Sequence, residues 1–220
     1  MTVPSIIVMG TSWGGLFALE TVLQSLPKEF PLPVAIVQHR MRDSEETLAM
    51  ILKRYTALPV SEAEDKEDIC PGHVYLAPSE YHLLVEKDHF ALSLDGPVNY
   101  ARPSADVLFE SAAETHGTGV IGVIMTGAGR DGALGLAKIK QRGGMTVVQD
   151  AAAECNDMPK AAIAASIVDR ILPLEKIGPF LVETCCAKPE KGTGPICRNG
   201  PQGASHKLDL SPLQASGTVE

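Results

Sequence analysis

Long apolar runs are missing from this sequence. No stretch approaches the roughly 18 residues that a membrane span needs. The opening residues, MTVPSIIVMG, hold neither a basic segment nor an apolar stretch long enough for a secretory signal. Basic charge is also short: 19 Lys and Arg stand against 27 Asp and Glu, a formal net charge of −8. That balance argues against non-specific nucleic-acid binding, which needs a basic face. The five cysteines form no CxxC pair, and the adjacent Cys185 and Cys186 suit neither a zinc knuckle nor a local disulfide. Free thiols in a reducing cytoplasm are the expectation. None of the six histidines has the H-E-x-x-H spacing of a metal site.

What is present is a core-forming composition. Hydrophobic residues make up 45% and charged residues 21% of 220 residues, enough for one sizeable domain. Apolar strand-like runs alternate with helical patterns. Residues 5–10, 33–38, 119–125 and 145–149 read as buried strands, and 16–25, 44–55 and 132–142 as helices. Ser44 stands as N-cap of the second helix, with Glu45, Glu46 and Thr47 in its first turn. Such alternation predicts an α/β fold: a doubly wound, mostly parallel sheet with helices on both faces. The middle of the chain departs from it. Residues 73–77, 82–86 and 90–94 are short, turn-separated and partly alternating, and read as an inserted antiparallel meander or hairpin. Pro103 then starts a helix through about Glu114, flanked by Arg102 and Ser104. From Thr184 the composition shifts to Gly, Pro, Ser, Lys and Glu, so residues 1–183 are expected to form the domain and 184–220 a disordered tail.

Three strand ends carry chemistry. The first runs into Gly10-Thr11-Ser12-Trp13-Gly14-Gly15, which satisfies the G-x-S-x-G pattern of a nucleophile elbow. A tight strand-to-helix turn raises one side chain above the sheet edge and aims free N–H groups at it. The same Gly-rich turn also suits a phosphate, or a purely structural bend. The second strand ends in His39, at the edge where open α/β sheets place ligands; a packing histidine is the plainer alternative. The third ends in a Gly-rich loop with Asp131, which also reads as an N-cap of the following helix. Together, Ser12, His39 and Asp131 all fall at carboxyl ends of parallel strands, and a triad is defined by geometry and role rather than chain order.

These segments, in this order, resemble the catalytic domain of the bacterial chemotaxis protein-glutamate methylesterase family, CheB. The resemblance runs from about residue 3 to 182. It is carried by GTSWGG with LETVLQSLP, PVAIVQH, CPGHVYLAPSEYHL, RPSADVLFESAA, GVIGVIMTGAGRDGALGL and NDMPKAAI. It implies that Ser12 is the nucleophile, His39 the general base and then acid, and Asp131 the residue that orients His39. Backbone N–H groups near Trp13 and Ala128 would hold the oxyanion. The implied reaction hydrolyses glutamyl methyl esters on chemoreceptor cytoplasmic helices and releases methanol, with glutamine deamidation as a related activity. It implies no metal and no organic cofactor. Three positions depart from the family's pattern: Trp13 for a small hydroxyl residue, Ala128 for Met, and Ala101 for His. Family members commonly carry an N-terminal receiver domain, and a first strand at about residue 3 implies a stand-alone form. Regulation would then come from a separate response-regulator or signalling protein, the tail, or substrate supply. Two other classes compete: a receptor-docking module of the same fold with weak turnover, and a nucleotide binder. The nucleotide binder lacks a P-loop lysine and a Rossmann acidic partner.

Overall fold

The computed structural model of the chain describes residues 4–39 and 48–186. Seven strands form one parallel sheet in the order β3-β4-β2-β1-β7-β8-β9. They are β1 (Ile6–Thr11), β2 (Val34–Gln38), β3 (Val60–Glu62), β4 (Val74–Leu76), β7 (Val120–Ile124), β8 (Met145–Gln149) and β9 (Arg170–Leu172). A separate antiparallel pair, β5 (His82–Val85) and β6 (Phe90–Ser93), completes the β structure among the described residues. Among the described residues the α-helices are α1 (Gly15–Gln24), α2 (Leu48–Leu52), α3 (Ala105–His116), α4 (Ala133–Gln141), α5 (Asp157–Ala165) and α6 (Leu174–Cys186). The expected doubly wound sheet with an inserted hairpin is the architecture observed.

Side-chain alternation along the central strands sorts the core into two layers. Ile7, Met9, Val34, Ile36, Ile121 and Val123 face one layer with α1, α2 and α6. Ile6, Val8, Ala35, Val37, Val120 and Ile124 face the other with α3, α4, α5 and the hairpin. Because both faces are covered, these strands read as continuous apolar runs rather than alternating ones. Gly122 lies where α4 presses on β7: a Cβ there would sit 2.6 Å from Ile139 Cδ1 and 2.7 Å from Leu136 Cδ1.

The chain leaves β1 toward β2, β4 and β3 on one side, then returns to β7, β8 and β9 on the other. The winding therefore reverses between β1 and β7, and ligands in such sheets bind outside the carboxyl ends at that point. Register puts three strand ends level: Thr11 pairs with Gln38, and Gly10 with Ile124.

Residues 73–77 correct one expectation. They supply β4, a buried parallel strand of the main sheet, rather than a meander strand. Their polar groups misled because they are satisfied internally. His73 stacks on Tyr75 with ring centroids 4.2 Å apart and shares a 2.8 Å hydrogen bond with Ser61. The Tyr75 hydroxyl donates to the Asp68 carbonyl and accepts from the Cys70 N–H. The 82–86 and 90–94 segments do pair as the expected hairpin. The 44–55 helix is described from Leu48, as α2, and gives way to a looser turn through Tyr55; Ser44, Glu45, Glu46 and Thr47 lie outside the described residues. The two edge strands β3 and β9, three residues each, had no periodic signal to reveal them. Cys155, Cys185 and Cys186 are free thiols, while Cys70 is disulfide-bonded, contrary to the expectation of free thiols throughout. No helix among the described residues is long and apolar enough to cross a membrane.

Candidate active site

Ser12 leaves the end of β1, and Gly14 and Gly15 turn the chain into α1. Gly14 takes φ 75° as the N-cap, a backbone state that glycine adopts freely. Gly15 answers a different need: a Cβ there would lie 2.1 Å from Gln38 Oε1. The space is used by the Gln38 amide, whose Nε2 donates to the carbonyls of both Ser12 and His39, each at 2.8 Å. The His39 N–H in turn donates to the Thr11 carbonyl at 3.0 Å. One amide therefore fixes the serine loop against the histidine loop.

Ser12, Trp13, His39 and Ala128 line one pocket of about 660 Å³, with Glu20 and Glu154 at its wall. An adjoining cavity of about 480 Å³ shares Gly14, Phe17 and Glu154 with it and extends toward Asp150 and Glu175. Trp13 is 69% exposed at the mouth, beside the exposed Leu16 and Phe17. Among the described residues, neither the Trp13 nor the Ala128 N–H donates a hydrogen bond within the protein. Both amides are therefore free to serve as oxyanion donors.

Behind His39 lies Asp131, buried and 2.8 Å from His39 Nε2 through Oδ2. Its carboxylate also accepts from Ser104 Oγ and the Ala105 N–H, both at 2.6 Å, and from the Asp106 N–H and Asn99 Nδ2, both at 3.3 Å. Two of these donors are the opening amides of α3, so a helix N-terminus faces the negative charge. Burial alone would raise the Asp131 pKa; the hydrogen bonds from His39, Ser104 and Ala105 outweigh it and hold the carboxyl below its ordinary value. The N-cap of α4 is Gly132, at φ 87°, so the capping alternative for Asp131 gives way. Asp131 sits at the start of α3 instead, an element 25 residues earlier in sequence by its bond to Asp106.

With Nε2 committed to Asp131, the proton on Nε2 is donated to the carboxylate and Nδ1 remains as the basic nitrogen. Thr126, the residue after Met125 at the end of β7, joins three loops. Its carbonyl accepts from the Ser12 N–H at 3.0 Å and from Thr11 Oγ1 at 2.7 Å. Its hydroxyl donates to the Trp13 carbonyl and accepts from the Cys155 N–H, both at 2.9 Å. Gly127 then passes so close to the serine that a Cβ would lie 2.8 Å from Ser12 Cβ and 3.0 Å from Ser12 N.

The structure thus brings Ser12, Trp13, His39 and Ala128 to one pocket and seats Asp131 behind His39. The residues not foreseen are the supports: Gln38, Asn99, Asp106 and Thr126, with Ser104 noted earlier only as a helix flank. In the sequence Asp106 is one acid in a helix first turn, and nothing around Asn99 marks it. Gln38 had a usable signal, an amide beside His39 at a strand end. No group of three or more His, Cys, Asp or Glu among the described residues is placed to hold a metal ion.

Comparison with known proteins gives a consistent picture. The family model described as CheB methylesterase matches residues 7–181. A putative protein-glutamate methylesterase/protein-glutamine glutaminase of Leptospira interrogans is 49% identical over 178 residues, covering 80% of this chain and 92% of that protein. The protein-glutamate methylesterase FrzG of Myxococcus xanthus is 44% identical over 181 residues, covering 81% of this chain and 54% of its own length; the chain spans about half of such longer relatives. The crystal structure of the Thermotoga maritima CheB methylesterase catalytic domain superposes with a TM-score of 0.79 at 37% identity, covering 83% of this chain and 99% of that one.

Proposed function

The chain belongs to the CheB methylesterase family, and from that membership we propose that it is a protein-glutamate methylesterase: a serine hydrolase that releases methanol from glutamyl methyl esters on the cytoplasmic helices of methyl-accepting chemoreceptors. The observation that carries the assignment of roles is the His39 Nε2–Asp131 Oδ2 contact of 2.8 Å, with His39 lining the same pocket as Ser12.

The proposed chemistry uses these residues in turn. Ser12 Oγ attacks the ester carbonyl while His39 Nδ1 takes its proton, a form of help worth roughly 10²–10⁴-fold. The buried Asp131 carboxylate stabilises the imidazolium that results. The N–H groups of Trp13 and Ala128 receive the oxyanion; one such donor is typically worth about 3–4 kcal/mol. His39 then returns the proton to the departing methoxide, methanol leaves, and water repeats the sequence on the acyl-serine to give the free glutamate. Deamidation of a receptor glutamine follows the same course with ammonia leaving, in keeping with the double name of the Leptospira relative. That substrate is reached from the cytoplasm.

Methanol release from methylated receptor cytoplasmic fragments tests the reading. Native protein should release it and Ser12→Ala should not. Equal release from both, or none from folded native protein with matched receptors, would leave a receptor-docking module as the better description.

A further inference from the structure

We propose that Asn99 and Asp106 are positioning residues of this esterase: the Asn99 amide clamps the Asp131 carboxylate, and Asp106 holds that amide the right way round. The inference rests on the esterase reading and adds to it a support that reaches Asp131 from the side away from His39.

The Asn99 Nδ2 group donates to Asp106 Oδ2 at 2.7 Å and to Asp131 Oδ1 at 3.3 Å. It bridges two carboxylates that would otherwise repel, and it spends one hydrogen on each. Asp106 is 3% exposed and its other oxygen, Oδ1, accepts the Gly135 N–H at 2.7 Å. Asp106 therefore ties α3 to the first turn of α4, the helix that Asp131 and Gly132 introduce. Gly135 is required for that approach, since a Cβ there would lie 2.9 Å from the Asp106 carbonyl oxygen. Asp106 also donates its own backbone N–H to Asp131.

An acceptor is needed at Asp106 for a specific reason. If position 106 offered an N–H instead, Asn99 would have to rotate its oxygen toward it, and that oxygen would then face the Asp131 carboxylate. The turn that presents Asn99 is built for a fixed direction: Val98 and Ala101 exchange both backbone hydrogen bonds, at 3.1 and 2.9 Å, around Asn99 and Tyr100 at φ 48° and 64°. That is a two-residue hairpin turn, in which asparagine tolerates the left-handed state.

The charge state of Asp106 supports the same arrangement. Burial pushes its pKa up to about 6, with the Gly135 N–H opposing and the nearby Asp131 and Glu110 carboxylates adding to the rise. The groups facing this site are Asp131 on the loop after β7, Glu110 one turn along α3, His39 beyond Asp131, and His82, which holds the Ser104 N–H through Nδ1 at 3.2 Å. At neutral pH Asp106 is ionised and accepts at both oxygens. As pH falls through about 6 it gains a proton, one of those two oxygens becomes a hydroxyl, and the Asn99 clamp weakens.

The test uses the full chain with Asn99→Gly and Asp106→Asn beside native protein and Ser12→Ala. Glycine keeps the positive φ of the turn and removes only the amide. Two readouts apply: the rate at which a serine-reactive fluorophosphonate labels Ser12, and kcat and KM for methanol release from a methylated receptor fragment across pH 5–9. Both variants should label and turn over about tenfold more slowly or worse, with KM within about twofold of native, because neither residue lines the pocket. The acid limb of the native kcat profile should lose the contribution near pH 6 in both. Native-like labelling and kcat in folded Asn99→Gly would overturn the proposal, whatever the folding of Asp106→Asn; so would a loss confined to KM. An active native enzyme with unaffected variants defeats this inference alone, whereas a native chain that neither labels nor hydrolyses defeats the esterase reading and this one with it.

Discussion

Gly127→Ala isolates how tightly the aspartate loop is packed on the nucleophile. The added Cβ would lie 2.2 Å from Met158 Sδ, 2.8 Å from Ser12 Cβ and 3.0 Å from Ser12 N, against the 3.4 Å at which ordinary contact begins. Methionine is flexible and can swing away. Ser12 cannot do so freely, because its N–H is held by the Thr126 carbonyl at 3.0 Å and its own carbonyl by Gln38. The nucleophile loop must therefore retreat by about half an ångström. A 1 Å misplacement of reacting groups costs roughly 100-fold, so about tenfold in kcat is expected here. Overpacking of this kind also destabilises by about 1–3 kcal/mol, which for a domain of this size lowers Tm by about 2–12 °C. Gly96→Ala is the matched control: nothing lies within 4 Å of its added Cβ. Methanol release and differential scanning calorimetry on both variants decide the matter. Native kcat and Tm in Gly127→Ala would refute the packing argument, and equal losses in Gly96→Ala would refute its site-specificity.

Other perturbations bear on the same supports. Thr126→Val keeps the shape but removes the hydroxyl, leaving the Trp13 carbonyl and the Cys155 N–H without their partner; a stability loss of about 1–3 kcal/mol in urea titration is expected, with slower Ser12 labelling. Two neighbouring carboxylates should give opposite pH slopes. Asp131 has its folded pKa depressed below 3.8, so its stabilisation is present above that value and is lost as pH falls through the folded one; Asp131→Asn should remove that acid-side loss in Tm measured from pH 2 to 8. Asp106 has its folded pKa raised from 3.8 to about 6, so its ionisation lowers stability as pH rises through that window, and Asp106→Asn should flatten the curve there. Asp169, which accepts from Lys140 and from both the N–H and hydroxyl of Thr146, is a control far from the pocket: Asp169→Asn should lower Tm and leave Ser12 labelling unchanged.

The sequence alone determined the parallel α/β core, because β1, β2, β7 and β8 are buried on both faces and so appear as unbroken apolar runs, each followed by a Gly-rich or polar turn. It also determined that Ser12 and His39 stand at strand ends and that Asp131 follows in the Gly-rich loop after β7, and hence the three as candidates, since both are local properties. It could not show that β4 joins the main sheet: His73 and Tyr75 look half-polar in the sequence, and only their stacking and internal hydrogen bonds make them core residues. The three-residue edge strands β3 and β9 carry too few residues for a period to register. The supports of the site were decided by tertiary structure for a common reason. Asn99 and Asp131 are 32 residues apart, Thr11 and Thr126 are 115 apart, and Gln38 and Ser12 are 26 apart. Hydrogen bonds across such separations leave no periodicity along the chain; they exist only once the sheet has set its strand order and brought those ends level.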